Sequence, residues 1–235
     1  MYLGYCGLLT GQHLGNSPWS VSLNQRFIGK QKVPYLPTIQ ALLAGVQNVG
    51  FTLRDALLEQ PSYTVAAAHL RSVKIPAPAY LIAAGSQRGE GVVITRDRNG
   101  TSEAHGTGRG FWPLDVASGA WYRLETNFDN WEPITDGRRQ AAHKSMDKLG
   151  QAGADTAGLI QVLSTPPVLA DDTTYTASMQ NDVGEYSTLV RQHDAQSAAQ
   201  LWQRKLDHVS EQLQLVVKWF RSQQASTPTF VEFSR

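Results

Sequence analysis

The chain has 235 residues, and its 21 basic and 20 acidic side chains leave a formal net charge of +1. Hydrophobic residues make up 41% of the sequence, which suffices on this length to close the core of one domain or of two small ones. The balanced charge argues against a nucleic-acid-binding protein and a polybasic membrane protein. A single cysteine excludes an internal disulfide framework and a cysteine-based zinc finger.

The start of the chain resembles the middle of a sheet. An apolar, glycine-punctuated strand pattern begins at Met1 itself. The first residues lack the basic segment and the small-residue cleavage site of a signal peptide. No apolar run in the sequence approaches the length that spans a bilayer.

Hydrophobic periodicity predicts the elements of the first third. Alternating apolar residues predict strands over residues 1–12 and 19–28. Helical spacing predicts three helices, over residues 36–47, 52–59 and 63–71. The first of these helices has one apolar face, formed by Ile39, Leu42, Leu43 and Val46.

The middle of the chain contains apolar runs of strand length followed by helical patterns. Apolar runs predict strands over residues 79–85, 91–96 and 121–127, with a glycine-rich loop between the second and the third. Helices are predicted over 138–149 and 155–163, and strands over 173–179 and 186–190 that complete the sheet. The alternation of strand groups with helix groups predicts an α+β fold with largely antiparallel sheet.

The last segment is predicted to be one long amphipathic helix over residues 194–223. Apolar side chains recur there every three or four residues, at Trp202, Leu206, Val209, Leu213, Val216 and Phe220. We expect two parts, a domain over residues 1–192 and a helical C-terminal extension over 193–235.

Few residues outside one cluster indicate chemistry. The six histidines are scattered singly and predict no metal site. Cys6 lies in an apolar strand pattern, which is typical of a small buried hydrophobe. The triplet Asn99-Gly100-Thr101 is a glycosylation sequon that has meaning only in a secreted or lysosomal protein, and it is an equally good turn.

The informative cluster follows the predicted strand 121–127. An Asn side chain such as Asn127 can stabilise a developing oxyanion, and an Arg such as Arg138 can orient a carbonyl or a carboxylate. Asn and Asp are also common at strand ends because they favour turns.

These residues resemble a known family, that of acid ceramidase and N-acylethanolamine-hydrolysing acid amidase. Its signature Thr-Asn-Tyr-Asp-x-Trp, followed by Asp-Asp-Arg-Arg, is matched by residues 126–131 with Arg138 and Arg139. Further blocks agree in order over about residues 2–191: Gly4 to Gln12, Glu90 to Arg98, Trp112 to Asp115, Gly119 to Arg123, Leu163 to Val168, and Tyr175-Thr176. The blocks at residues 7–12 and 112–115 look closer to the amidase branch than to the ceramidase.

The resemblance implies a lysosomal N-terminal-nucleophile hydrolase with an αββα sandwich that uses no cofactor and no metal. In the family, an N-terminal Cys exposed by self-cleavage attacks the carbonyl of a fatty acyl amide, and its own α-amine acts as the base. The resemblance makes Asn127 the oxyanion-hole side chain and Arg138 the arginine that organises the site. It also assigns Gln25 and Asp129 to substrate binding.

Several residues depart from the family pattern. The nucleophile motif, Cys-Thr-Ser-Ile-Val, and the Arg-Asn-x-Asp stretch after it precede the first matching block, so neither occurs in this chain. Cys6 aligns with an ordinary strand residue. Gln25 stands where the family usually has Glu, and Gly137 replaces the second Asp of Asp-Asp-Arg-Arg.

Three functions are compatible with these residues. The first is the C-terminal part of a hydrolase of N-acylethanolamines, inactive until an upstream segment supplies the nucleophile. The second is a non-catalytic lipid-binding or membrane-surface protein that uses the terminal helix. The third is a related amide hydrolase that acts on ceramides or bile salts.

Overall fold

The computed structural model describes residues 6–7, 18–26, 35–102, 108–191 and 195–225. Within these ranges the chain forms two antiparallel sheets and several helices. The predicted class, α+β with largely antiparallel sheet, agrees with this architecture.

The larger sheet has five strands in the order β1-β2-β3-β4-β5, and each pairs antiparallel with its neighbour. Its strands are β1 (Cys6–Gly7), β2 (Trp19–Gln25), β3 (Ala79–Gly85), β4 (Gly91–Arg96) and β5 (Phe111–Pro113). Strand β3 is apolar over most of its length, whereas β2 alternates apolar and polar residues. The bounds predicted for β3 and β4 are confirmed.

Three helices lie between β2 and β3 in the chain: α1 (Leu36–Leu43), α2 (Val49–Glu59) and α3 (Tyr63–Ser72). The main core lies between α2, α3 and the larger sheet. Its members are fully or almost fully buried apolar side chains, including Trp19, Val21, Leu53, Leu57, Leu70, Leu81 and Ile94. The alternate positions of β2 that face this core are those that the period-two pattern marked as apolar.

Helix α1 is shorter than predicted. It ends at Leu43 because Gly45 adopts a φ of +84° and its N–H bonds to the carbonyl of Leu42, a conformation that glycine adopts without steric cost. Val46 therefore lies outside the helix. None of the residues of α1 is buried, and Leu43 is 76% exposed.

The second half contains α4 (Gly137–Leu149), α5 (Thr156–Leu163), β6 (Tyr175–Gln180), β7 (Glu185–Val190) and α6 (Ala195–Ala225). The expectation that the last two strands complete the first sheet was wrong. β6 and β7 pair only with each other, in a separate two-stranded sheet. Helix α6 covers the range predicted for the amphipathic helix, and the division at residue 192 stays a prediction.

The strand predicted over residues 121–127 is absent; residues 120–136 form neither helix nor strand. Side-chain packing takes the place of strand pairing there. Trp121 and Tyr122 pack edge to face at 4.6 Å between ring centroids. Arg123 donates to the carbonyl of Pro113 at 2.9 Å and lies over the ring of Trp112. All seven residues from 121 to 127 are partly buried, so their apolar pattern reflects side-chain packing and not membership of a sheet.

Candidate active site

The candidate site lies where the end of β2 meets residues 120–136, here called the connecting loop. Two hydrogen bonds join them directly. The side-chain amide nitrogen of Asn24 donates to the carbonyl of Thr126 at 2.8 Å. The side-chain amide nitrogen of Asn127 donates to the main-chain carbonyl of Gln25, also at 2.8 Å. The loop is therefore held against the strand on both sides of the Thr126–Asn127 peptide.

Arg26, the residue after β2, makes the third connection. Its Nε and Nη2 donate to the two carboxylate oxygens of Asp129, both at 2.7 Å. Its Nη1 donates to Asp97 at 2.7 Å, and the Tyr80 hydroxyl donates to Asp129 at 2.7 Å. A bidentate arginine–carboxylate pair fixes both distance and orientation, so Asp129 is tied to two strands of the larger sheet.

Asn127 is held at both ends of its side chain. Its amide oxygen accepts a hydrogen bond of 2.6 Å from Nη2 of Arg138, while its amide nitrogen uses one hydrogen on Gln25. The guanidinium can only donate, so this contact determines which end of the amide is oxygen. No described residue accepts the second hydrogen on this nitrogen, so it can serve another acceptor.

Helix α4 places Arg138 in its first turn. Asp136 caps the helix by accepting from the main-chain N–H groups of Arg138 and Arg139, at 3.2 and 3.3 Å, as an N-cap carboxylate does. The same carboxylate lies 3.9 Å from Nε of Arg138. The cap therefore fixes both the start of the helix and the direction of the arginine.

Arg139 is buried and bonds to the main chain of the connecting loop. It is 2% exposed, and its Nη1 donates to the carbonyls of Phe128 and Asp129 at 3.4 and 3.2 Å. Burial raises the pKa of the nearby Glu125 carboxyl to about 7, and the positive charge of Arg139 lowers it only in part. An uncharged Glu125 is therefore favoured in acid.

The structure brings together four of the five residues that the sequence singled out. Asn127 and Arg138 are in direct contact. Gln25 takes part through its main-chain carbonyl, and Asp129 through its contacts with Arg26 and Tyr80. Asn99 lies apart, exposed in the turn that follows β4. The substrate-binding roles of Gln25 and Asp129 stay predictions.

Sequence reasoning missed Arg26, Asn24 and Tyr80 as parts of this arrangement. Tyr80 lies in an apolar run and Asn24 in an alternating strand, so both look like ordinary strand residues. The one usable signal was a charged residue, Arg26, within the predicted alternating strand 19–28. Arg26 is 8% exposed, and buried arginines need partners.

The described residues also bear on metal sites and on membrane-spanning helices. No cluster of three or more His, Cys, Asp or Glu side chains among those residues is placed to hold a metal ion. No helix in the described part of the chain is long and apolar enough to cross a membrane. His13, His105 and His193 lie outside the described residues, as do residues 103–107 of the glycine-rich loop.

The chain is similar to known lipid amidases, although no family model matches it. It is 36% identical over 195 residues to the N-acylethanolamine-hydrolyzing acid amidase of Cavia porcellus, covering 81% of this chain and 51% of that protein. It is 36% identical over 194 residues to the acid ceramidase of Homo sapiens, covering 81% and 46%. The chain thus spans about half the length of these curated relatives.

A solved structure shows the same likeness in three dimensions. The N-acylethanolamine-hydrolyzing acid amidase ortholog of Caenorhabditis elegans superposes with a TM-score of 0.66 at 32% identity, covering 81% of this chain and 78% of that one. This confirms the fold predicted from the resemblance, that of an N-terminal-nucleophile hydrolase. The chain belongs to the family of N-acylethanolamine-hydrolysing acid amidase and acid ceramidase.

Proposed function

We propose that this chain supplies the oxyanion-binding part of a hydrolase that cleaves the amide bond of N-acylethanolamines. One observation carries the proposal. The Asn127 side chain is held between Arg138 and the Gln25 carbonyl, with one amide hydrogen left to donate. This is the arrangement that an amide carbonyl under nucleophilic attack requires.

The chemistry follows from this geometry. Attack on an amide carbonyl moves negative charge onto the carbonyl oxygen, and a fixed N–H donor stabilises that charge. The contact from Arg138 withdraws electron density from the oxygen of Asn127, which makes its N–H a stronger donor. Because the side chain is already held, no reorganisation is needed when the charge appears.

The nucleophile that the resemblance implies is an N-terminal cysteine from a segment outside this sequence. Its thiolate sulfur bonds to the amide carbon, and its α-amine takes the thiol proton. The carbon–nitrogen bond then breaks, and the leaving ethanolamine nitrogen takes that proton. Water adds to the resulting thioester, releases the fatty acid and restores the thiol. Cys6 has no part in these steps.

The substrate class rests on the sequence blocks and on the relatives. The blocks at residues 7–12 and 112–115 favour an N-acylethanolamine over a ceramide or a bile salt. The names of the relatives include both an acylethanolamine amidase and a ceramidase, so identity alone does not separate these substrates. Lysosomal residence fits both the raised pKa of Glu125 and the exposed sequon at Asn99.

The test uses the product of the complete gene, whose N-terminal peptide is first identified by mass spectrometry. We expect a cysteine at the mature N-terminus and hydrolysis of palmitoylethanolamide at acidic pH, with slower hydrolysis of a ceramide and of a bile salt. The Asn127→Ala variant should lower kcat by about 100- to 1,000-fold, the effect of losing one oxyanion donor.

A matched control is Asn130→Ala in the same loop, since Asn130 donates only to the carbonyl of Arg109. It should retain the wild-type kcat. Hydrolysis that is equally lost in both variants would contradict the proposal. So would a native chain that starts at Met1 and still hydrolyses the amide.

Helix α6 favours a second candidate function, binding to a lipid surface. Leu206, Leu213 and Phe220 recur on one face and are 59%, 57% and 44% exposed. An exposed apolar face of this kind can lie in a lipid interface. Flotation with liposomes, with and without residues 194–223, tests it; equal binding by the two forms would exclude it.

A further inference from the structure

We propose that Arg26 is a positioning residue for the amide hydrolysis, because through Asp129 it determines where Asn127 presents its free N–H. This inference rests on the proposed function, and it adds a residue that does not touch the substrate. It starts from the contacts of one side chain that joins the sheet to the connecting loop.

Each of the three guanidinium nitrogens of Arg26 donates a hydrogen bond to a carboxylate. Two of its nitrogens hold both oxygens of Asp129, and the third holds Asp97, all at 2.7 Å. Tyr80 adds a third short contact to Asp129, from β3. One cation thus joins two carboxylates, one from the turn after β4 and one from the connecting loop.

The pair is also shielded from water. The side chains of Arg26 and Asp129 are 6% and 13% exposed, and Tyr80 is 1% exposed. Removal of one partner would leave the other charge buried and unpaired, which is strongly unfavourable. The position of Asp129 is therefore tightly determined.

This pair acts on Asn127 through the chain. Asp129 follows Asn127 by two residues, and Arg26 follows Gln25, the residue whose carbonyl binds Asn127. Asn24 fixes the Thr126 carbonyl on the other side. Asn127 thus lies between two clamps, Asn24 at the end of β2 and Arg26 directly after it. A misplacement of about 1 Å at a reacting group can lower a rate 100-fold.

The first experiment is the kinetics of Arg26→Lys in the product of the complete gene. Lysine keeps the charge but cannot form the bidentate pair. We expect kcat for palmitoylethanolamide to fall by about 100-fold with KM within about twofold of the wild type. The milder substitution Tyr80→Phe, which removes one hydrogen bond to Asp129, should lower kcat several-fold. It replaces Arg26→Lys as the test if that variant does not fold.

The matched control is Arg96→Lys. Arg96 is also buried, at the end of strand β4, but it donates to the carbonyls of Leu70 and Val73 on the opposite side of the sheet. It should lower the melting temperature and leave kcat of the folded enzyme unchanged. An equal loss of kcat in both lysine variants would show a general structural effect and overturn the proposal.

A double variant isolates the route through Asn127. In the Asn127→Ala background the oxyanion donor is already gone, so Arg26→Lys should cause no further loss of kcat, whereas its effect on melting temperature should persist. A further 100-fold loss would mean that Arg26 acts by another route, and the proposal would be wrong.

The side-chain amide resonances of Asn127 separate this inference from the proposed function. They are assigned by their loss in Asn127→Ala. In Arg26→Lys the two proton shifts should move, while in Arg96→Lys they should not. If the wild type hydrolyses no amide, the proposed function fails, and these shifts alone decide the positioning role. Unmoved shifts in Arg26→Lys would overturn it.

Discussion

Arg138 donates a hydrogen bond of 2.6 Å to the side-chain oxygen of Asn127. The side chain of Arg138 is 41% exposed, so the arginine is accessible to solvent while it is bonded to Asn127. In the proposed reaction this contact fixes and polarises the donor that meets the oxyanion. The contact of Arg138 with a substrate carbonyl or carboxylate, which the sequence suggested, stays a prediction.

The substitution Arg138→Ala should lower kcat by about 10- to 100-fold, less than the loss expected for Asn127→Ala, because the donor itself is retained. The kcat of Arg138→Lys should lie between those of the wild type and Arg138→Ala. A lysine ammonium can approach the Asn127 oxygen but lacks the planar, multiply donating guanidinium. Steady-state kinetics of the product of the complete gene provide the measurement. Lys144→Ala, an exposed position on the same helix, is the control, and an equal loss there would refute the assignment.

The cap of α4 offers a test of how the helix places its arginine. Asp136→Ala should lower the free energy of unfolding by about 1 kcal/mol, as the loss of an N-cap usually does, and should also lower kcat several-fold. Asp155→Ala removes the equivalent cap of α5, where Asp155 accepts from the N–H of Gly158 at 2.8 Å.

We expect Asp155→Ala to lower the free energy of unfolding by a similar amount and to leave kcat unchanged. Chemical denaturation and kinetics on the same preparations distinguish the two effects. Activity that simply follows stability in both variants would contradict a role for the Asp136 cap in placing Arg138.

The fold was predictable wherever one physical signal dominates. The apolar run of β3 and its turn to β4 could be assigned because a strand covered on one face by helices has few alternatives. Residues 121–127 were predicted as a strand from a similar run, but their partners are rings and carbonyls that the sequence does not identify, such as Trp112 and Pro113. Whether a segment pairs as a strand depends on residues far away in the sequence, and hydrophobic periodicity carries no information about them.

The candidate site was predictable in part for the same reason. Asn127 and Arg138 are eleven residues apart, close enough for a motif to include both. Arg26 and Asp129 are separated by 103 positions, and only the fold brings them together. Their contact could not be deduced from either residue alone, although a charged residue within the predicted strand 19–28 was a sign that a partner existed.

Asn99 provides a test of the cellular route. It is exposed in the turn after β4, where the N–H of Asp97 bonds to the carbonyl of Gly100, so a glycan there would meet little steric resistance. If the protein passes through the secretory pathway, glycosidase treatment should lower its apparent mass. Asn99→Gln should abolish that shift and leave kcat unchanged. A glycosidase shift that survives Asn99→Gln would place the glycan elsewhere.

The buried carboxyl of Glu125 predicts a dependence of stability on pH. Burial raises its pKa to about 7 from the ordinary 4.5, so between these values the folded protein holds a proton that the unfolded chain releases. The free energy of unfolding should therefore be greatest below pH 4.5 and fall as the pH rises through 7. The shift corresponds to at most about 3 kcal/mol.

Glu125→Gln removes this proton and should flatten the slope: its melting temperature should match the wild type at pH 4.5 and exceed it at pH 7.5. His143→Gln is the contrasting variant. Burial and the charge of Arg139 lower the pKa of His143, so its neutral form contributes stability that is lost as the pH falls below about 6.5. Calorimetry at both pH values compares the three proteins. A Glu125→Gln variant with the wild-type slope would show that this carboxyl stays charged in the folded protein at acidic pH.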